Sequence, residues 1–301
     1  MALRRALDQS EYELGVHVMG DNLSPNSQKG PDVAVIAGSS SGVGAATAAR
    51  MVGRGVHVLG IDRSDVVPAI PQGALGKYSH VTADAGDEKV WIEVLEKCRS
   101  LYGADPNSVV FCAAVLVIGS VVTLEEKDWQ NIFETNVFGP ARALKHVIPR
   151  MAARGGGTVV FVNSSVGHMA EQNLAAYSSS KGAGLMLMKS AAVDHARQGI
   201  RVNAVCPGSI MTPFFMRHVE AAPDPEGFLE VKTQRHPAGR LLQPDDVAAV
   251  VDFLASPDSL GMTGVAVPVD GGLTAAYDFY VDQASQEAEE SNKRFLDSEK
   301  E

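Results

Sequence analysis

The chain has little cysteine: Cys98, Cys112 and Cys206 are scattered through 301 residues, and no CxxC occurs. Three dispersed thiols cannot build a disulfide framework, so a reducing compartment is expected. No run of about 18 apolar residues occurs, which excludes an apolar membrane-spanning helix. Asp8, Glu11 and Glu13 interrupt the first residues before they reach signal-peptide length, so a cytoplasmic, non-membrane protein is expected. No Lys/Arg run offsets the net charge of -10, whose field repels phosphate backbones, and nucleic acid is not expected as a partner. The eight histidines form no HExxH and no Cys/His set with zinc-ligand spacing, so no metal is expected.

What is present suits a soluble globular chain, with 45% hydrophobic and 21% charged residues. The length allows one large domain with extensions or two small domains. Residues 1–30 carry little periodicity and end in DNLSPNSQKGP, a cluster of turn residues, so they are expected to form an extension. Residues 278–301 hold eight acids against three bases, half of the net charge, and form an acidic tail. Between them, short β-branched runs alternate with helix-period segments, the signature of βαβ units around a parallel sheet. Strands are expected at 32–37, 56–61, 78–82, 108–113, 157–163, 200–205 and 264–269, and helices at 42–53, 87–101, 126–152, 174–198 and 244–255. Right-handed crossovers would place helices on both faces. Over 210–241 the pattern loosens, broken by Pro213, Pro223, Pro225 and Pro237 and rich in Phe and Met, and a lid over a pocket is expected there.

After the first strand comes Ala37-Gly38-Ser39-Ser40-Ser41-Gly42-Val43-Gly44, then an Ala-rich helical run. Glycines let such a turn approach a pyrophosphate whose charge is stabilised at the helix N-terminus. The second strand ends at Asp62, twenty residues beyond Gly42, where a ribose diol needs an acceptor. An acid there repels a 2′-phosphate and favours NAD over NADP. Arg63 could accommodate that phosphate, but Ser41 supplies no second cation.

Tyr177-Ser-Ser-Ser-Lys181 falls in an expected helix, so the i, i+4 pair shares one face. A phenol titrates near ~10, too high for a base at neutral pH, and a neighbouring cation favours the phenolate. With the glycine turn, this pair makes the chain resemble the short-chain dehydrogenase/reductase family over about residues 31–275, within a domain expected to span 31–277. The resemblance implies a single Rossmann-type doubly wound α/β domain with strand order 3-2-1-4-5-6-7. It maps the catalytic asparagine onto Asn136, the serine onto Ser164, which lies 13 residues before Tyr177, and the Tyr/Lys pair onto Tyr177 and Lys181. It also implies cofactor contacts at Gly38, Ser41, Gly42, Val43, Gly44, Asp62, Arg63, Asp84, Ala113, Ala114, Pro207, Gly208, Ile210 and Thr212. Ser164, His168, Tyr177 and Phe214 are expected to meet the substrate.

The sequence departs from the family in two places. Ala37 stands where a threonine usually ties the turn, and Cys112-Ala113-Ala114-Val115 replaces the NNAG segment. The link from Asp62 to Asp84 contains Pro68 and Pro71 and leaves little room for a helix, as in family members that act on cyclic dihydrodiols.

The activity implied is NAD-dependent interconversion of a secondary alcohol and a ketone, on a mainly apolar or cyclic substrate, since no Arg cluster suggests a phosphate or CoA handle. Tyr177 would take the proton, Lys181 would lower its pKa and hold the nicotinamide ribose, Ser164 would position the substrate oxygen, and Asn136 would anchor a relaying water. A homotetramer or homodimer is implied, built on the LMLM stretch of the helix at 174–198. The altered Ala37 and 112–115 segments also allow a dinucleotide-sensing protein that has lost catalysis. Epimerase or dehydratase chemistry on a nucleotide sugar lacks a substrate domain.

Overall fold

The structure is a computed structural model and describes residues 30–277; the expected N-terminal extension and acidic tail lie outside the described residues, apart from Gly30. Seven parallel strands form one sheet: β1 (Val33–Ala37), β2 (His57–Asp62), β3 (Tyr78–Thr82), β4 (Ser108–Phe111), β5 (Gly157–Val162), β6 (Ile200–Pro207) and β7 (Ala266–Val269), in the order β3-β2-β1-β4-β5-β6-β7. The order and parallel sense are those expected. The sheet's chain order reverses beside β1, and the crevice beyond the carboxyl ends of β1 and β4 is where doubly wound sheets bind ligands.

The strands are apolar on both faces because helices cover both. On one side Val33, Val35, Leu59 and Ile61 pack with α2 (Glu88–Tyr102), α4 (Gly139–Ala153) and α5 (Ala175–His195), through Trp91, Val147 and Met188 among others. On the other side Ala34, Ile36 and Val58 pack with α1 (Gly42–Gly53) and α8 (Pro244–Ala255), through Met51, Val52, Val251 and Leu254. From β2 to β3 the chain crosses without a helix, as its prolines predict. No described helix is long and apolar enough to cross a membrane.

Two expectations fail for physical reasons. The segment 126–152 is not one helix: it forms α3 (Glu126–Phe133), a π-turn (Glu134–Phe138) and α4. The π-turn adds one residue per turn and turns Asn136 inward. In the lid, prolines 213 and 225 do not break structure; they start α6 (Pro213–Glu220) and α7 (Pro225–Gln234) at the first helical position, where a missing N–H costs nothing. Thr212 and Asp224 cap these helices by accepting from the backbone N–H groups of Phe215 and Gly227.

Arg201 on β6 ties the sheet to the end of α8. Its buried guanidinium donates to the carbonyls of Leu254, Ser256, Ser259 and Met262 and to Ser259 Oγ, satisfying acceptors that a helix end leaves open. No carboxylate pairs with it among the described residues. Arg201→Met is expected to strand these carbonyls and cost about 3 kcal/mol, read as a lower urea midpoint with an unchanged slope.

Candidate functional site

Beyond the carboxyl ends of the strands lies a cavity of about 470 Å³. Its walls include Gly38, Ser41, Gly42, Val43 and Gly44 of the turn, Asp62 and Arg63 after β2, Asp84 after β3, and Ala113 and Ala114 after β4. Ser164, Tyr177, Lys181, Pro207, Gly208, Ile210, Thr212 and Phe214 line it as well.

The turn after β1 is built by backbone packing. A Cβ on Gly38, whose φ is +82°, would stand 2.5 Å from the Ala113 nitrogen, and one on Gly44 would stand 1.9 Å from the Gly38 carbonyl oxygen. Nothing larger than glycine fits at either place. The departures from the family pattern are met here by the backbone: the N–H groups of Cys112 and Ala113 both donate to the Ala37 carbonyl, at 2.8 and 2.9 Å, with no side chain from positions 37, 112 or 113 in the tie. Burial pushes the Cys112 thiol up to about 12, so it is an inert packing group.

Asp62 accepts from the backbone N–H groups of Ser40 and Ser64, both at 3.0 Å, which fixes its carboxylate at the cavity wall. Arg63 pairs with Asp84 at 3.0 Å across an exposed gap. Asp84 is no helix cap; Asp87 caps α2 by accepting from the Lys89 N–H.

Asn136 lies behind the cavity wall. Its Oδ1 accepts from the Val115 N–H at 2.9 Å, and its Nδ2 donates to the Val115 carbonyl and to Ser180 Oγ, both at 3.0 Å. Ser180 in turn donates to the Tyr177 carbonyl at 2.7 Å. Ser164 starts a short 3-10 turn, accepting from the Val166 N–H at 3.3 Å. Lys181 Nζ donates to the Val162 carbonyl at 3.2 Å and stands 5.5 Å from the centre of the Tyr177 ring.

The electrostatics differ from the simple expectation that the lysine lowers the tyrosine. Burial holds the phenol above its ordinary value; the nearby Ser164 hydroxyl opposes this and the Glu171 charge adds to it. Burial likewise brings the Lys181 ammonium down to about 8. The cavity therefore carries a lysine whose charge is lost at mildly alkaline pH.

His168 does not meet the substrate expectation: it is exposed and stands outside the cavity wall. Glu171 takes that place, together with Arg217, His218, Lys232, Arg235 and His236 from the lid. The expectation of a lid end without an arginine cluster is thus corrected, since two arginines and a lysine line it. Nothing in the sequence marked Glu171 and Lys232, because their side chains meet across 61 residues. His236 is buried; its Nε2 accepts from the Ser209 N–H at 3.1 Å, so Nδ1 carries the hydrogen that donates to the Lys232 carbonyl at 2.7 Å.

A family model described as enoyl-(acyl carrier protein) reductase matches residues 37–274. The chain belongs to the short-chain dehydrogenase/reductase family. It is 32% identical over 254 residues to cis-4-hydroxycyclohexanecarboxylate dehydrogenase of Sinomonas cyclohexanicum, covering 81% of this chain and 96% of the relative. Among solved structures it is similar to the ligand-free aldohexose dehydrogenase of Thermoplasma acidophilum, with a TM-score of 0.75 and 29% identity over 84% of this chain and 98% of that one. It is also similar to L-sorbose reductase of Gluconobacter frateurii complexed with NADPH and L-sorbose, with a TM-score of 0.75 and 27% identity over 82% and 98%.

The lysine can be tested apart from any activity. A folded-state value of about 8 against 10.5 unfolded means that the unfolded chain binds the proton more tightly, so Lys181 destabilises the fold below pH 8 and this burden fades as pH rises to 10.5. Lys181→Met is expected to be more stable than wild type at pH 7, by up to about 3 kcal/mol. The advantage should shrink in urea titrations run from pH 8 to 10.

Proposed function

We propose that this protein is an NAD-dependent oxidoreductase that interconverts a secondary alcohol and a ketone. The observation that carries the reading is the convergence of Tyr177, Lys181 and Ser164 on the one cavity whose opposite wall is the glycine turn. A dinucleotide fits that wall: Gly38 and Gly44 leave the backbone bare, the N-terminus of α1 faces the cavity, and the fixed carboxylate of Asp62 is an acceptor pair for a ribose diol. The bound dinucleotide would supply the hydride acceptor. In this reading Tyr177 exchanges the hydroxyl proton, Ser164 bonds the substrate oxygen, and Lys181 holds the ribose and carries positive charge at neutral pH. Asn136 acts through position: its amide is committed to Val115 and Ser180, so its side chain has no N–H left to bind a relaying water.

The cyclohexane ring in the name of the Sinomonas relative supports a cyclic substrate, as do Leu116, Val166, Leu174 and Phe214, which surround the phenol. Phe214 lies 6.3 Å from Tyr177, ring centre to ring centre. Met186 and Val193, exposed on α5, support assembly with further copies of the chain. The domain is proposed to span 31–277 with its lid at 210–241.

Tyr177→Phe is expected to lower kcat by about 10²–10⁴ on a panel of cyclic alcohols read by NADH absorbance, while the Kd for NAD stays within a factor of two or so. Comparable turnover by the variant would refute the role given to Tyr177. NAD is expected to give the higher kcat/KM than NADP, and Asp62→Ala should narrow the difference. An NADP preference in the wild type would show that Arg63, released from Asp84, accepts the 2′-phosphate.

A further inference from the structure

Lys232 is 5% exposed, and its ammonium meets one carboxylate, Glu171, in the loop that leads to Tyr177. The ammonium also lies 5.1 Å from the centre of the Phe228 ring. A buried ion pair contributes little stability beyond what an apolar pair of the same volume would give, because each charge loses its water. This pair does not stand alone. Arg217, whose guanidinium lies 5.9 Å from the centre of the Phe214 ring, and Arg235 line the same end of the cavity, and among the described residues neither pairs with a carboxylate. His218 adds a hydrogen-bond donor beside Phe228, although burial and the Lys232 charge hold it below its ordinary value and hence neutral at pH 7. Three cations face one carboxylate in a chain whose net charge is -10. At the far end, Arg63 and Asp84 neutralise each other.

Resting on the reading of this cavity as an alcohol and ketone site, we propose that the substrate carries a carboxylate, which Lys232 binds, and that Glu171 occupies the place of that carboxylate in the empty site. Phe214 lies between the phenol and Arg217, so a substituent that extends along Phe214 from a ring seated against Tyr177 would approach the Arg217 guanidinium. An incoming anion is drawn by the two unpaired arginines and competes with Glu171 for the ammonium. A neutral substrate makes no such exchange and leaves the pair closed.

The test is a binding measurement, so it does not depend on turnover. The NAD-loaded enzyme is titrated in a calorimeter with cyclohexanecarboxylate, which has no hydroxyl to oxidise, and with cyclohexanecarboxamide, its neutral counterpart. The acid should bind at least tenfold more tightly. Glu171→Gln, which removes the internal competitor, should tighten the acid several-fold and leave the amide unchanged. Lys232→Met should weaken the acid tenfold or more. Equal affinity for acid and amide in the wild type overturns the proposal without any variant, and so does a Glu171→Gln enzyme that binds the acid more weakly, which would make the pair a latch for the lid. Should the acid bind as expected while no cyclic alcohol is oxidised, the catalytic reading fails and the anion site stands.

Discussion

Three segments far apart in the chain meet at the cavity, and one amide joins them. The side chain of Asn136 bonds both the N–H and the carbonyl of Val115, as a strand neighbour would, and its third bond reaches Ser180 on the helix of Tyr177. The loop after β4, the end of α3 and the start of α5 are thereby held at fixed spacing. The cost is local: the helix must admit an extra residue at Glu134–Phe138 for the amide to point inward. Such π-turns occur mostly at functional sites because a regular helix cannot present that residue. With the loop so held, Val115 can follow two alanines, and the asparagines that family members carry there are dispensable.

The sheet was legible because its code is local. Runs such as VAVIA in β1 and VVFV in β5 are apolar at every position, as a strand covered on both faces requires. The glycine turn and the Tyr177/Lys181 pair were legible for the same reason, each confined to a few residues. What the sequence hid was tertiary. The prolines of the lid looked like breaks because their position relative to a capping residue decides whether they end a helix or begin one, and Thr212 and Asp224 precede them. His168 looked like a pocket residue by its distance from Ser164, yet the loop carries Glu171 inward instead. Burial raises the Tyr177 phenol and lowers the Lys181 ammonium, which the spacing of the pair in the sequence does not show.

Charge is distributed along the cavity with a purpose that stability does not explain. Lys181 and Lys232 are both buried, and burial lowers the proton affinity of each. A chain selected only to fold would place methionine or leucine at such sites. The groups that burden the fold are those that face the cavity, the usual relation between activity and stability.

The start of the expected lid packs against the glycine turn. A Cβ on Gly42 would come within 3.0 Å of Thr212 Cγ2, and Thr212 is also the cap from which α6 begins. Floor and roof thus share a contact, so two ligands bound one on each side of Thr212 would not be independent guests. Whatever one did to the position of Thr212 would alter the affinity of the other, and by thermodynamic necessity the influence would run equally in both directions.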